Sequence, residues 1–315
     1  MNIVLAAEEM AGLQVLKALA RSPHRLLGVL TSETPRTESA SLWNVAQDMG
    51  YQTWPAKQVK DPELAESLRS AQVDLLLNVH SLYIIHQDVL AVPRLGAYNL
   101  HPAPLPRYAG LNSVSWALYH GEKEHGVTIH KMEAGIDTGD IVFQEVFPIT
   151  DEDTGLTLSF KCTQTGVALM LKLLDTISSG PDSLQFQPQD LTRRTYCAAK
   201  PPNGGRISWQ EPAENIVNLI RACDYFPFRS PWGHATACLG TSDIGVIKAS
   251  RTGMHCDRAP GTVGQVSGSG AFVASADEWV LVKKLKKGDS YLAAADVLAS
   301  GTRFDPFSQP IMSVI

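Results

Sequence analysis

The sequence predicts a doubly wound, mostly parallel α/β sheet followed by a small β-barrel. Two observations carry this prediction. Apolar, strand-like runs alternate with helical patterns in the first half of the chain, whereas short strands separated by glycine-rich turns fill the last third. A length of 315 residues also favours two domains. We therefore predict a first domain over residues 1–180, a linker over 181–205 and a second domain over 206–315.

The elements of the first domain follow from hydrophobic periodicity. The run from Val73 to Val79 is almost continuously apolar, as is typical of a strand in the centre of a parallel sheet. The other strands are shorter apolar runs, each separated from the next by a segment with helical spacing. The predicted strands are 2–7, 26–31, 73–79, 97–101 and 126–132, and the predicted helices are 10–20, 41–49, 62–69, 111–120 and 157–178.

The composition then changes, because serine, glycine, proline and glutamine dominate the segments 178–181, 185–189 and 201–205. Beyond them the pattern predicts one more helix and a set of short strands joined by glycine-rich turns. That helix covers 212–223, and the strands cover 235–239, 244–248, 261–266, 271–274 and 279–284.

Composition excludes several classes of function. A formal charge of −5 argues against a general nucleic-acid binder. The sequence shows neither an N-terminal signal pattern nor an apolar run of 18 residues, so we expect a cytoplasmic protein with no membrane partner. No G-x-G-x-x-G follows the first strand, and Glu8 and Glu9 would repel a pyrophosphate, so a dinucleotide enzyme is not expected.

The same reasoning predicts no metal centre. The five cysteines form no C-x-x-C pair, which fits reduced thiols. The nine histidines show no metal-ligand spacing within a helix. His125 and His130 are five apart on a strand and therefore point to opposite faces.

The most informative residues are Asn99, His101 and Asp137. Asn99 and His101 are two apart on a strand, so their side chains point the same way. We expect helix 111–120 to be the crossover between two neighbouring parallel strands. Because ligands bind outside the carboxyl ends of such strands, Asp137 should reach the same crevice.

An amide, an imidazole and a carboxylate together are suited to acyl transfer. Asn99 can donate an N–H to a developing oxyanion, a contribution of roughly 3–4 kcal/mol. His101 can move a proton near pH 7. Asp137 would orient His101 and hold it in one tautomer. Each residue alone is more often a cap, a core histidine or a turn residue, but their joint occurrence at one crevice favours a catalytic site.

These motifs resemble the 10-formyltetrahydrofolate-dependent formyltransferase family. The resemblance rests on the stretches 99–110, 126–130 and 137–140 and extends over nearly the whole chain. It implies a Rossmann-like catalytic domain, an OB-like C-terminal domain, 10-formyltetrahydrofolate as co-substrate and no metal. It also implies that Asn99, His101 and Asp137 form the catalytic triad.

The resemblance further implies two binding segments and a substrate loop. Backbone of Tyr83, Ile84 and Ile85 would grip the pterin ring, and a loop would close over it, formed by Met132, Glu133, Ala134, Gly135 and Ile136. The Leu105-Pro106 bond sits where the family often has a cis proline. Ala103 and Pro104 depart from the family's usual serine and leucine. The expected substrate loop comprises Pro102, Ala103, Pro104, Leu105, Pro106, Arg107, Tyr108 and Gly110.

The acceptor is a separate question. Residues 31–40 form a short segment with two acids and one arginine, a poor partner for phosphates. We therefore expect a small amine, such as an amino-sugar nucleotide or a natural-product amine. A hydrolase that releases formate and a methionyl-tRNA formyltransferase are the alternatives; the lysines between Lys283 and Lys287 favour the latter. The C-terminal aromatics are an alternative binding platform, but we favour a packing role for them; the sequence does not determine the oligomeric state.

Overall fold

A computed structural model describes residues 1–34 and 41–306 of the chain. The chain divides into two compact units. The first contains residues 1–113, 124–148 and 159–197, and the second contains 114–123, 149–158 and the chain from residue 198 onward. The segment expected to be a linker therefore contributes its residues through Cys197 to the first unit.

Nine strands and six helices build the first part of the chain. The helices are α1 (Glu9–Leu19), α2 (Leu42–Asp48), α3 (Leu64–Ser70), α4 (Gln87–Leu90), α5 (Ser113–Tyr119) and α6 (Gly155–Ser179). The strands are β1 (Asn2–Ala7), β2 (Arg25–Thr31), β3 (Thr53–Pro55), β4 (Leu75–Val79), β5 (Ala97–His101), β6 (Ala109–Gly110), β7 (Glu124–Lys131), β8 (Ile141–Pro148) and β9 (Tyr196–Cys197).

Seven of these strands form one sheet, in the order β3-β2-β1-β4-β5-β7-β8. The pairs from β3 to β5 are parallel, which confirms the mostly parallel α/β sheet. The strands in its centre are fully buried: Leu75, Leu76 and Leu77 of β4 have no exposed surface. Their nearly continuous apolarity reflects helices or loops covering both faces.

The expected crossover through α5 is wrong, because β7 runs antiparallel to β5. A parallel return needs an element that carries the chain back along the whole strand. The loop after β5 instead stays tied down where β6 pairs with β9, and α5 has only seven residues, about 10 Å of helix. Strands β3 and β8 were not predicted, and β8 adds a second antiparallel edge.

The second unit is rich in antiparallel strands, as predicted. Its sheet has the order β10-β11-β14-β13-β12, with β15 paired to β14. Helix α7 packs its apolar face inward, with Ile216 and Ile220 both buried. The elements are α7 (Ala213–Cys223), β10 (Ala235–Leu239), β11 (Ser242–His255), β12 (Val263–Ser267), β13 (Gly270–Ala274), β14 (Glu278–Lys287), β15 (Ser290–Ala293) and α8 (Ala294–Val297).

Two further observations complete the fold. The Leu105-Pro106 peptide bond is cis, as the resemblance implied. Within the described ranges, none of the helices combines the length and apolarity that a membrane span requires.

Candidate active site

Strand β5 places Asn99 and His101 side by side. Both are buried, with 8% and 5% of their surfaces exposed. In the antiparallel register Asn99 lies opposite His130 of β7, and His101 lies opposite Thr128. The alternation of side chains along a strand puts Asn99 and His101 on one face, as predicted.

Asp137 reaches these residues from the loop 132–140 between β7 and β8. Its backbone is left-handed (φ 54°), a conformation that aspartate tolerates better than most residues. Gln189 donates to the carbonyl oxygens of Asp137 and Gly139, at 3.0 and 2.6 Å, and thereby fixes the loop. The carboxylate thus meets Asn99 and His101, although the route differs from the predicted parallel one.

The imidazole of His101 lies between two oxygen atoms. Its Nε2 is 2.9 Å from the carbonyl oxygen of Tyr108, and its Nδ1 is 3.7 Å from Oδ2 of Asp137. A carbonyl oxygen only accepts, so Nε2 carries the proton and donates to Tyr108. In the neutral ring Nδ1 is therefore unprotonated and faces the carboxylate. The backbone of Tyr108, rather than Asp137, defines the tautomer.

His130 is a site residue that sequence reasoning missed. Its Nδ1 donates to the carbonyl oxygen of Lys131 at 2.9 Å, which leaves Nε2 as an acceptor. That Nε2 is 3.0 Å from Nδ2 of Asn99 and 3.5 Å from Oδ1 of Asp137. The antiparallel register was the missing signal, because only that pairing sets His130 opposite Asn99.

The side-chain NH₂ group of Asn99 makes two hydrogen bonds. Nδ2 donates to Nε2 of His130 at 3.0 Å and to Oδ1 of Asp137 at 3.4 Å. The second contact is long for a hydrogen bond to a carboxylate and therefore weak. A substrate oxygen placed beside the amide could take over that hydrogen.

Burial and charge determine the protonation states. Burial lowers the pKa of His101, and the neighbouring His130 and His80 act in the same direction, although Asp137 and the Tyr108 carbonyl oppose it. Burial would raise the pKa of Asp137, but His101, His130 and the Gly110 N–H hold that pKa well below its usual range. At pH 7 the site contains a carboxylate and a neutral His101.

Gly110 helps to hold the Asp137 carboxylate in position. Its N–H donates to Oδ2 of Asp137 at 2.8 Å. Its backbone has φ 94°, and a Cβ built there would lie 2.7 Å from the carbonyl oxygen of Cys197. Both features require glycine.

The two segments expected to bind the pterin ring meet in the structure. Ile85 belongs to an apolar cluster in the first unit, and Met132 packs against the same cluster. Around them, large apolar side chains remain open to solvent: Tyr83 is 37% exposed, Ile84 69% and Ile136 42%. Glu133, Ala134 and Gly135 are also exposed. A planar ring stacked on this surface would remove apolar area from water.

The expected substrate loop is largely held inward. Thr128 donates to the carbonyl oxygen of Ala103 and accepts the N–H of Leu105, and Gln144 donates to the Leu105 carbonyl. The side chains of Ala103, Pro104, Leu105 and Tyr108 are buried, whereas Pro102, Pro106, Arg107 and Gly110 are partly exposed. Only the partly exposed residues offer contacts to an acceptor.

A second group of titratable residues follows β1 and β4, beside the catalytic cluster. His80, with a left-handed backbone, has Nδ1 3.7 Å from Oε2 of Glu9. Its Nε2 is buried and has no hydrogen-bond partner among the described residues. Burial raises the pKa of Glu8, whose Oε1 accepts the N–H and the hydroxyl of Ser32 at 2.8 Å each. Sequence reasoning did not single out His80.

No group of three or more histidine, cysteine, aspartate or glutamate side chains within residues 1–34 and 41–306 is arranged to hold a metal ion. All five cysteines are free thiols.

Comparisons with known proteins identify the family of this chain. The formyl transferase model matches residues 26–174, and the model of the formyl transferase C-terminal domain matches residues 201–303. A methionyl-tRNA formyltransferase from Legionella pneumophila strain Philadelphia 1 is 30% identical over 312 residues, 96% of either chain. The chain belongs to the formyl transferase family, and it is an enzyme of that family.

Solved structures share the fold. The sugar 3N-formyl transferase WlaRD, crystallised with dTDP and 5-N-formyl-THF, has a TM-score of 0.67 at 18% identity, covering 92% of this chain and 98% of its own. An N-formyltransferase from Helicobacter canadensis, in complex with folinic acid and dTDP-3-aminofucose, also has a TM-score of 0.67, at 17% identity. That match covers 89% of this chain and 97% of the other.

Proposed function

We propose that this enzyme transfers the formyl group of 10-formyltetrahydrofolate to the primary amine of a small molecule. The observation that carries the proposal is the cluster formed by the buried side chains of Asn99, His101 and His130 and the partly buried carboxylate of Asp137. Use of a formylated folate is supported by family membership and by the exposed apolar surface at Tyr83, Ile84 and Ile136. The folate-bound neighbours agree with it.

In this proposal Asn99 stabilises the negative charge that develops on the formyl oxygen when the amine attacks. The weak contact from its amide to Asp137 is the one that would be redirected. A donor positioned in a buried site contributes roughly 3–4 kcal/mol to lowering the barrier. The bond to His130 keeps the amide plane in place meanwhile.

The histidines move protons, and Asp137 stabilises them. A carboxylate with so low a pKa is a weak base, so we assign acceptance of the amine proton to an unprotonated ring nitrogen. His101 would then pass a proton toward the departing folate nitrogen. Asp137 lies within 3.7 Å of both rings and favours whichever one is protonated.

A small acceptor is supported by acidic surroundings at the sheet edge. Glu8 and Glu9 directly follow β1, and Glu33 belongs to the segment 31–40, which follows β2. Residues 35–40 of that segment lie outside the described ranges. Negative charge beside the site disfavours a polyphosphate backbone and suits an ammonium-bearing molecule. A natural-product amine meets this condition directly, and an amino-sugar nucleotide meets it through its amino group, with its diphosphate bound away from Glu8 and Glu9. A cytoplasmic location remains a prediction.

Methionyl-tRNA is the second candidate acceptor. It is favoured by full-length relatives at 30% identity and by the basic strand β14. Lys284 lies 3.5 Å from the ring centroid of Phe226, and Lys286 lies 5.4 Å from that of Tyr291. Cations interleaved with partly exposed aromatic rings are typical of surfaces that bind single-stranded nucleic acid.

The first test is release of tetrahydrofolate from 10-formyltetrahydrofolate, measured alone and with amino-sugar nucleotides, amino acids or methionyl-tRNA. Release that depends on one small amine supports the proposal and identifies the acceptor class. Release that depends on methionyl-tRNA replaces the small amine by the second candidate. Equal release without an acceptor makes the protein a hydrolase and overturns the transferase proposal.

A further inference from the structure

The chain between the two matched family domains contacts the two loops that carry Tyr108 and Asp137. Residues 187–197, which we call the strap, lie between the matches that end at 174 and begin at 201. Gln187 pairs with Ile141 through both backbone groups. Gln189 holds the Asp137 loop, and Arg194 donates to the carbonyl oxygen of Ile136 at 3.1 Å. The strap thus borders the loop of the catalytic carboxylate.

The strap also fixes the loop that carries Tyr108. Thr195 accepts the Tyr108 N–H on its hydroxyl at 2.7 Å, and its carbonyl oxygen accepts the Ala109 N–H at 3.0 Å. Its own N–H donates to the carbonyl oxygen of Pro106 at 3.3 Å. Three hydrogen bonds from one residue therefore hold Tyr108 in a left-handed backbone conformation (φ 62°) that a bulky residue rarely adopts.

The orientation of the Tyr108 carbonyl decides where His101 keeps its proton. Two oxygens compete for that proton, the carbonyl at 2.9 Å from Nε2 and the carboxylate at 3.7 Å from Nδ1. The shorter, well-formed bond prevails while the carbonyl is held in place. If the carbonyl turned away, the carboxylate would draw the proton to Nδ1, and no free ring nitrogen would face Asp137.

We propose that Thr195 is a positioning residue that keeps the proton of His101 on Nε2, so that Nδ1 is the atom that exchanges protons during catalysis. This inference rests on the proposed function. In the forward reaction the amine nitrogen bonds to the formyl carbon, the amine N–H bond breaks and an Nδ1–H bond forms, giving a cationic ring beside Asp137. The bond between the formyl carbon and the folate nitrogen then breaks while the same proton leaves Nδ1 for that nitrogen, so the histidine ends as it began.

The direct test is a ¹⁵N NMR spectrum of the full-length protein labelled at histidine, with His101 assigned by comparison with His101→Gln. We expect Nε2 to show the shift of a protonated ring nitrogen and Nδ1 that of an unprotonated one. A proton on Nδ1 in the neutral wild-type ring overturns the inference. This readout needs no turnover, so it stays separate from failure of the proposed function.

The second test compares Thr195→Val, which removes the hydroxyl, with Thr195→Ser, which retains it. We expect the valine variant to lose about tenfold in kcat with little change in KM for 10-formyltetrahydrofolate, and serine to restore it. Thr192→Val is the matched control, because Thr192 lies in the same strap and its hydroxyl donates to Asp190, away from Tyr108. Wild-type kcat in the valine variant, with an unchanged His101 spectrum, contradicts the proposal.

A pH profile distinguishes positioning from simple loss of folding. The Tyr108 hydrogen bond raises the pKa of His101, against burial and against the charges of His130 and His80. With Asp137 unchanged, loosening that bond should move the acidic limb of kcat/KM to lower pH. A fraction of unfolded protein would reduce activity without moving the limb, and such a result overturns the positioning role.

Discussion

Two clusters of charged side chains, one in each unit, differ in how they are held. In the first unit His101 and His130 are buried, the Asp137 side chain beside them is 11% exposed, and backbone carbonyls fix both imidazoles. In the second unit Lys284 and Lys286 lie over aromatic rings at the half-exposed surface of β14. Burial couples charges strongly enough to shift protonation, whereas exposure leaves charge available for attracting a partner. Chemistry and recognition are therefore expected to respond to different mutations.

The largest effect should come from the buried cluster. His101→Ala and Asp137→Asn should each lower turnover by about 10²-fold or more, since each removes proton transfer or its stabilising charge. The measurement is kcat for amine-dependent tetrahydrofolate release, with the melting temperature showing that each variant is folded. Activity close to wild type in both folded variants would show that this cluster does not carry the reaction.

His130→Ala should have the next largest effect, a loss of about 10- to 100-fold in kcat. The change removes the acceptor that holds the Asn99 amide and one of the two rings beside Asp137. His125→Asn is the matched control: it removes a buried imidazole from the same strand, one that bonds to Pro102 rather than to Asp137. Equal losses of kcat in the two variants would mean that His130 contributes only through packing.

The pH dependence of kcat/KM should reflect the lowered pKa of the buried His101. The pKa of His101 is lowered from its usual 6.5. The ring therefore stays neutral and able to accept a proton until the pH falls below this lowered pKa. The acidic limb of kcat/KM for 10-formyltetrahydrofolate, measured at saturating acceptor, should therefore have its midpoint below pH 6.5. A midpoint above 6.5 would mean that another group limits the rate or that the His101 cation is favoured.

The smallest effect should come from the exposed lysines if the acceptor is a small amine. Lys284→Ala and Lys286→Ala should then change kcat/KM by less than about twofold. If methionyl-tRNA is the acceptor, each change should weaken tRNA binding. The slope of log affinity against log salt concentration should then decrease by about the amount expected for one phosphate contact. Lys172→Ala is the control, because Lys172 makes a similar contact with Phe143 in the first unit.

Sequence reasoning predicted most of the fold, because apolar periodicity determines which segments become strands and helices. It placed β5, β10 and most of the helices within about two residues of their observed bounds. It missed β3 and β9, whose two or three residues are too short to show a period. The direction of β7 was also missed, because direction depends on how the connecting chain is tied down, which local pattern does not encode.

The site was predicted only in part, because local sequence pattern shows residue types but not the pairing of distant segments. Asn99, His101 and Asp137 stand out by residue type and order, and the structure brings them together. His130 and Thr195 act through pairings between distant segments, which a single sequence does not display. The tautomer of His101 depends on a backbone carbonyl, and no side-chain motif records it.

The hydrogen bonds of the strap have a consequence for modularity. A recombinant fragment that stopped at residue 180 would retain Asn99, His101 and Asp137 but lack Gln189 and Thr195, the groups that anchor their loops. The last stretch of the first unit ends at Cys197, where β9 pairs with β6. An exchange of C-terminal domains between family members should therefore place its junction after β9. The loops of Tyr108 and Asp137 would then keep their hydrogen bonds to their own strap.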